Sequence, residues 1–310
     1  MTKQYDLILE AIDKIFEVGK YFYSDYVFNQ LRETRTLDFI EKVIKKSGKT
    51  EIEAAIILLA AIRFLQNDIY ALKKIEENKS FQEHLIKNYN QLLEICINKK
   101  VQSNAPQRGL PLLELLSKKL PNSPIFLVEL GASYGLIGNC LLEPENMILN
   151  KNTYFQDDQQ IPNSFKNIDY YLGIDIDPPS KEWLISCFSI LDDAIRNQNC
   201  INSFSSIKNH KVIKASALGF SELEEIKKID SSKYTIVILT SFMLYQLDEF
   251  QQKRLTIEIE DFIKKNSGHW IRQEIKMSKL LSNIEYSIEW DSKKVIDLPD
   301  DKCTSWIWIE

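Results

Sequence analysis

The chain has 310 residues, 44% of them apolar, and a formal net charge of −5. That is enough apolar material for one large domain or for a core with a smaller companion, and the acidic balance argues against a nucleic-acid-binding protein, which carries a basic surplus. No apolar run reaches the roughly 18 residues that a membrane-spanning helix needs; the longest, "AAIILLAAI" from Ala54 to Ile62, ends between charged residues.

The N-terminus, "MTKQYDLILEAIDKIFEVGK", is amphipathic and acidic, with Leu7, Ile8, Ile12, Ile15 and Phe16 at helical spacing. It has neither the apolar core nor the cleavage site of a signal peptide, so the chain reads as cytoplasmic and not membrane-bound. Two helices are expected in "TLDFIEKVIKKSGKTEIEAAIILLAAIRFLQNDIYALKKIEE", broken at Ser47-Gly48-Lys49, with Thr50 as N-cap and Glu53 three residues on. Another is expected from about Phe81 to Asn98.

The texture changes near Val101. "VQSNAPQRGLP" reads as a loop, and Pro111 suits the start of the helix "LLELLSKKL". From Ile125 short apolar runs ("IFLVEL", "YYLGIDI", "HKVIKA", "YTIVILT", "HWIRQEI") alternate with helical stretches such as "LDEFQQKRLTIEIEDFIKKN". That alternation predicts an α/β fold with a mostly parallel sheet covered on both faces. The polar stretch Asn150 to Asn167 reads as an insertion, and "EYSIEWDS" and "TSWIWIE" as a hairpin added antiparallel at an edge. The expected organisation is a helical region, residues 1–100, and a core, residues 101–310.

Five cysteines are widely spaced with no C-x-x-C pair, and none of the three histidines is i, i+3 or i, i+4 to another. The cysteines read as small buried hydrophobes, and no metal site is expected.

"IFLVELGASYGLIG" carries the chemistry. Its glycines follow the pattern Gly131-x-x-x-Gly135-x-x-Gly138, which is neither the dinucleotide fingerprint nor a P-loop. What remains is an acid two residues before a glycine turn: Glu129-Leu130-Gly131-Ala132-Ser133-Tyr134-Gly135. Together with Asp175 in "YYLGIDIDPPS", "VIKASALGF" and "YTIVILTSFMLYQLDEF", this resembles the class I S-adenosylmethionine-dependent methyltransferases from about Val101 to Glu310. The resemblance implies a Rossmann-like seven-stranded sheet, mostly parallel with one antiparallel edge strand, and S-adenosyl-L-methionine as cofactor. It implies that Glu129, Gly131, Ala132, Ser133 and Gly135 wrap the cofactor's amino-acid end, that Asp175 (with Asp177 as rival) accepts its ribose hydroxyls beside Ile176, and that Ser216 and Ala217 flank the adenine. Ser241 is expected among the cofactor contacts; it falls where many relatives carry an acid or asparagine, and with Thr240 beside it no general base is evident.

"VQSNAPQRG", "VELGASYGL", "GIDIDP" and "SFMLYQL", in that order, resemble more closely an uncharacterised bacterial family of unknown function with a methyltransferase-like core, which also has serine at the place of Ser133. If the loop before the sheet folds over the glycine turn, Arg108 could hold the cofactor's carboxylate by a bidentate bond and Gln102 or Asn104 could hydrogen-bond nearby; the alternative is a surface loop with an exposed arginine. Tyr134, Tyr245 and Gln246 are expected on the sulfonium side as catalytic residues. Tyr21, Tyr23 and Tyr26 read either as core packing or as aromatic faces toward a cation from a helical lid.

The expected activity is methyl transfer to a small molecule, with no nucleic-acid or membrane partner. Two alternatives stay open. One is other cofactor-consuming chemistry, cyclisation or aminocarboxypropyl transfer with release of methylthioadenosine. The other is a non-catalytic scaffold.

Overall fold

The structure, a computed structural model, describes residues 3–18, 24–102, 106–145, 168–187, 198, 201–202, 207–277, 284–299, 303 and 305–309. The expected insertion around 150–167, Asn104, Tyr21 and Tyr23 lie outside the described residues. Two compact units result: residues 1–103 with 180–198, and residues 104–179 with 199–310.

The first unit contains α1 (Lys3–Val18), α2 (Asp25–Leu31), α3 (Thr34–Ser47), α4 (Glu51–Gln66), α5 (Ala71–Glu77), α6 (Phe81–Lys87) and α7 (Tyr89–Asn98). α3 stops because Gly48 takes the left-handed conformation (φ 69°), and α4 starts with the expected capping box between Thr50 and Glu53. α4 is apolar on nearly every side because it is the central helix, with Ala54, Ile57, Leu58, Ala61 and Ile62 buried. No single helix among the described residues is long and apolar enough to cross a membrane. In α1, Ile8 and Ile12 are buried, whereas Leu7 is 44% exposed. The single helix expected over 81–98 is two, α6 and α7, which meet at Asn88. Tyr26 packs within this unit: its hydroxyl oxygen accepts the Phe81 N–H, and Lys79 lies over its ring.

A helix from between the second and third strands also joins this unit: α10 (Lys181–Cys187). Its Trp183 meets Phe64 edge-on at 5.4 Å and donates its indole N–H to the Lys100 carbonyl at 2.9 Å. Lys99 lies over both rings.

The second unit is built on one sheet of β1 (Ile125–Leu130), β2 (Tyr170–Asp175), β3 (His210–Lys214), β4 (Thr235–Ser241), β5 (His269–Met277), β6 (Ile284–Trp290), β7 (Lys293–Leu298) and β8 (Ile307–Trp308). The spatial order is β3-β2-β1-β4-β5-β6-β7-β8. β1 to β5 are parallel, and β6 to β8 follow as an antiparallel meander. The protein is therefore α/β with a mixed sheet of eight strands, where seven with one antiparallel edge strand were expected. The extra strand is "KKVIDL", which lies between the two segments expected to pair with each other. Its hairpin turn, Asp291-Ser292, has both residues at positive φ (45° and 67°), as a type I′ turn requires, but lacks the glycine that usually marks one.

The remaining helices are α8 (Leu110–Lys119), α9 (Leu136–Leu142), α11 (Glu224–Lys227) and α12 (Glu249–Asn266). α12 begins with a capping box, Asp248 with Gln251, and packs Leu255 and Ile259 against Ile236, Ile238 and Trp270. The chain leaves β1 toward β2 and β3, then returns to β4 on the other side of β1. Loops at the carboxyl ends of β1 and β4 thus diverge, and this reversal is where open α/β sheets form a ligand crevice.

Candidate functional site

The site is built on the loop after β1. Gly131 and Gly135 have positive φ (76° and 80°), and so does Ser133 (51°). A side chain at Gly131 would strike Met243, whose Cγ lies 2.3 Å from where a Cβ would be. Gly138 sits equally close to the Tyr171 ring, so glycine here lets α9 lie directly on β2. The loop's N–H groups are spoken for by the end of β2: Gly131 and Ala132 donate to the Ile174 carbonyl at 2.8 and 3.1 Å, and Ser133 donates to Asp175 Oδ2 at 2.7 Å. Asp175 Oδ1 accepts the Asp177 N–H at 2.9 Å. Asp175 therefore fastens the glycine turn to β2, a cap role, while each oxygen keeps acceptor capacity for a further donor. Asp177 is turned outward and pairs with Lys214.

Glu129 lies beneath this loop, 1% exposed, and accepts the Tyr171 hydroxyl at 2.5 Å. Burial pushes its pKa up to about 8; the Tyr171 hydrogen bond and the nearby Arg108 pull it down, and Asp175 pushes it further up. Tyr171 in turn stacks on His210, whose ring meets the Gly135 carbonyl. Arg108 is 6% exposed and its guanidinium lies 4.4 Å from the centre of the Phe242 ring. Gly109 allows this placement, because the turn carrying Arg108 (residues 106–109) packs onto Cys140 of α9 where a Cβ would sit only 2.9 Å away.

Phe242 follows β4 and, like Ser133, is a non-glycine residue in the left-handed region (φ 50°). Left-handed non-glycine residues are uncommon, and a bulky one is a genuine outlier; here two flank the reversal between β1 and β4. The loop after β4 is held by Glu274 of β5, whose Oε1 accepts the Met243 and Leu244 N–H groups at 3.2 and 3.1 Å. The loop after β3 is held the same way by Glu258 of α12, which accepts from Gly219 N, Ser221 N and Ser221 Oγ.

The structure brings Gly131, Ala132, Ser133, Gly135 and Asp175 into one hydrogen-bonded unit, with Glu129 bonded to Tyr171 and Arg108 close enough to act electrostatically on Glu129. Ile176 is 71% exposed beside it. Ser216 is exposed and accepts the Leu218 N–H of its own loop, and Ala217 packs with the apolar cluster under α12. Ser241 is buried and donates to Gln273 Oε1, and Thr240 accepts from Trp270 Nε1, so neither hydroxyl faces a ligand as a free group. Gln246 folds back on the Phe242 carbonyl, Tyr245 is 48% exposed, and Tyr134 is half-buried.

Sequence reasoning missed Tyr171, Met243 and Glu274. Trp270, Arg272 and Glu274 alternate along one face of β5, but what makes Glu274 matter is its pairing with the loop after β4, which sequence spacing does not report.

Two surface pockets lie elsewhere, one lined by Leu142, Asp169 and Asn209 and one by Phe126, Tyr170 and Lys211, both toward the amino-terminal ends of β2 and β3. At the carboxyl ends the Met243 side chain fills the space over Gly131. Neither a protein-family model nor a curated protein matches the chain.

Proposed function

We propose that the chain binds S-adenosylmethionine at the carboxyl ends of β1, β2 and β4 and transfers its methyl group to a small molecule. One observation carries this reading: the acid that ends β2 and the glycine turn that follows β1, 42 residues apart, are joined by the Ser133–Asp175 hydrogen bond beside the reversal in strand order. The order β3-β2-β1-β4-β5 matches the first five positions of the doubly wound order 3-2-1-4-5-6, with the reversal between β1 and β4. The β6–β8 meander is this chain's own departure from the seven-stranded methyltransferase sheet.

The residues present suit such a ligand. Asp175 has acceptor capacity for ribose hydroxyls, and exposed Ile176 offers an apolar face to a base. Arg108 supplies a buried guanidinium for a carboxylate, and Glu129 becomes a counter-charge for an ammonium once it ionises. The cofactor would supply an electrophilic methyl carbon on a sulfonium. The protein's own part is to orient the reactants and shut out water, which needs no covalent enzyme intermediate.

Titration calorimetry with S-adenosylmethionine and S-adenosylhomocysteine tests the reading; both bind if it is right, and no binding by either at millimolar concentration overturns it. Asp175→Ala weakens binding by roughly 1–3 kcal/mol, the worth of hydrogen bonds to a charged group. Methylthioadenosine formed from the cofactor alone would replace methyl transfer with attack on another carbon next to sulfur.

A further inference from the structure

We propose that Glu274 is the proton acceptor for the group that is methylated, and that the substrate therefore presents an alcohol, a phenol or a protonated amine. The proposal rests on the methyltransferase reading and goes beyond it to the substrate's chemistry. β4 ends without an acid, and its terminal hydroxyls, Thr240 and Ser241, are committed to Trp270 and Gln273. An acid reaches the following loop from the neighbouring strand instead. Gln273 is the register partner of Ser241, and its carbonyl accepts the Phe242 N–H at 2.7 Å, so Glu274 stands level with the loop itself.

The two oxygens of Glu274 are used differently. Oε1 accepts two backbone N–H groups, from Met243 and Leu244. Oε2 is fully buried and has no hydrogen-bond partner among the described residues. A buried acceptor left without a donor costs about 1–3 kcal/mol, a cost that holding the loop through Oε1 does not require. Met243 connects this acid to the cofactor loop, since its N–H is held by Glu274 and its side chain lies on Gly131.

The surroundings suit a base. Burial raises the Glu274 pKa to about 7; Arg272 on the same strand lowers it, and Glu289 on β6 raises it. Those two pair with each other at 3.3 Å, Ser287 is the cross-strand partner of Glu274, and residues 242–247 carry no charged side chain. A proton acceptor works best when its pKa is near the working pH. In the reaction the acceptor's O–H or N–H bond breaks and its proton moves to Glu274 Oε2, while the freed electron pair bonds the methyl carbon. The carbon–sulfur pair stays on sulfur as a neutral thioether, and Glu274 later returns the proton to solvent. The loop that must shift to admit the acceptor carries exposed Tyr245 and Gln246.

Glu274→Gln separates the two roles, because its amide oxygen can still accept both N–H groups and no atom of it can take the proton. The probes are methyl-labelled S-adenosylmethionine and the protein-free small-molecule extract of cells that make the protein. The expected result is at least a ~100-fold loss of transfer, with cofactor binding by calorimetry and slow hydrogen exchange at the Met243 and Leu244 amides both retained. The wild-type product carries its label on an alcohol or phenol oxygen or on nitrogen. Equal transfer by the variant overturns the assignment, as does a label on carboxylate or sulfur. Fast exchange at the two amides in the variant also overturns it, by making Glu274 a positioning residue. Failure of the unsubstituted protein to bind the cofactor overturns the methyltransferase reading itself, and the calorimetry reports that separately.

Discussion

The loops after β1 and β4 solve one problem with different materials. Each turns sharply beside the reversal in strand order, each has a non-glycine residue near φ 50° (Ser133 and Phe242), and each is fastened by a carboxylate from the adjacent outer strand. The β1 loop uses glycine at two further positive-φ positions, and its acid, Asp175, has both oxygens on backbone N–H groups. The β4 loop contains no glycine, and Glu274 puts both loop bonds on one oxygen. The first loop is a closed cradle, and the second is a tether with a bare atom. On the reading proposed above, the difference separates a surface for holding a ligand from a group that can act on one.

Gly131→Ala tests the comparison most severely, because it breaks both loops at once. The residue has φ 76°, and a methyl group there meets Met243 Cγ at 2.3 Å. Backbone strain and overpacking together should cost about 2–4 kcal/mol, read as a lowered denaturant midpoint. Met243 belongs to the second loop, so hydrogen exchange at Met243 and Leu244 should rise as well. An effect confined to residues 129–135 would mean that the loops are independent.

The two loops also differ in how far they were legible. The β1 loop is local: an acid, glycines and a following helix within fourteen residues announce a tight turn, and all five parallel strands were visible as apolar runs. The β4 loop is not local. Its acid is 31 residues away from Met243 and acts through strand pairing, which no spacing rule reports. β7 escaped for a related reason, since its turn adopts the geometry of a glycine hairpin with Asp291 and Ser292. The grouping of α10 with the N-terminal helices also escaped, because Trp183 finds Phe64 and Lys100 far back along the chain, the latter 83 residues away.

Glu129 gives the next largest effect. An acid whose pKa is about 8 when folded and near 4.5 when unfolded holds its proton more tightly in the folded state. Its contribution to stability is full below about 4.5 and is lost as the pH rises through 8. Glu274 loses its share earlier, through about 7. Urea midpoints should therefore fall between pH 5 and 8.5, and Glu129→Gln should flatten the upper end of that fall while leaving the Glu274 portion. Cofactor binding near pH 7 should release a proton from wild type, seen as a buffer-dependent binding enthalpy, and release less from the variant. A pH profile unchanged by Glu129→Gln would mean that the buried acid is ionised throughout.

The smallest effect is the most discriminating. Ser133 and Phe242 share nearly the same strained backbone, so glycine relieves a similar strain at each. At Phe242 that relief comes with loss of the ring beneath Arg108, and the net change is destabilising. At Ser133 the loop keeps its N–H bond to Asp175, which is a backbone bond that glycine can also make. Left-handed strain of about 1–2 kcal/mol is then set against the extra flexibility of unfolded glycine, about 0.5–1 kcal/mol, so Ser133→Gly should be stabilising by no more than about 1.5 kcal/mol. A loss of stability on that substitution would mean that the serine side chain helps to hold the cradle, and that its place in the motif is structural rather than merely tolerated.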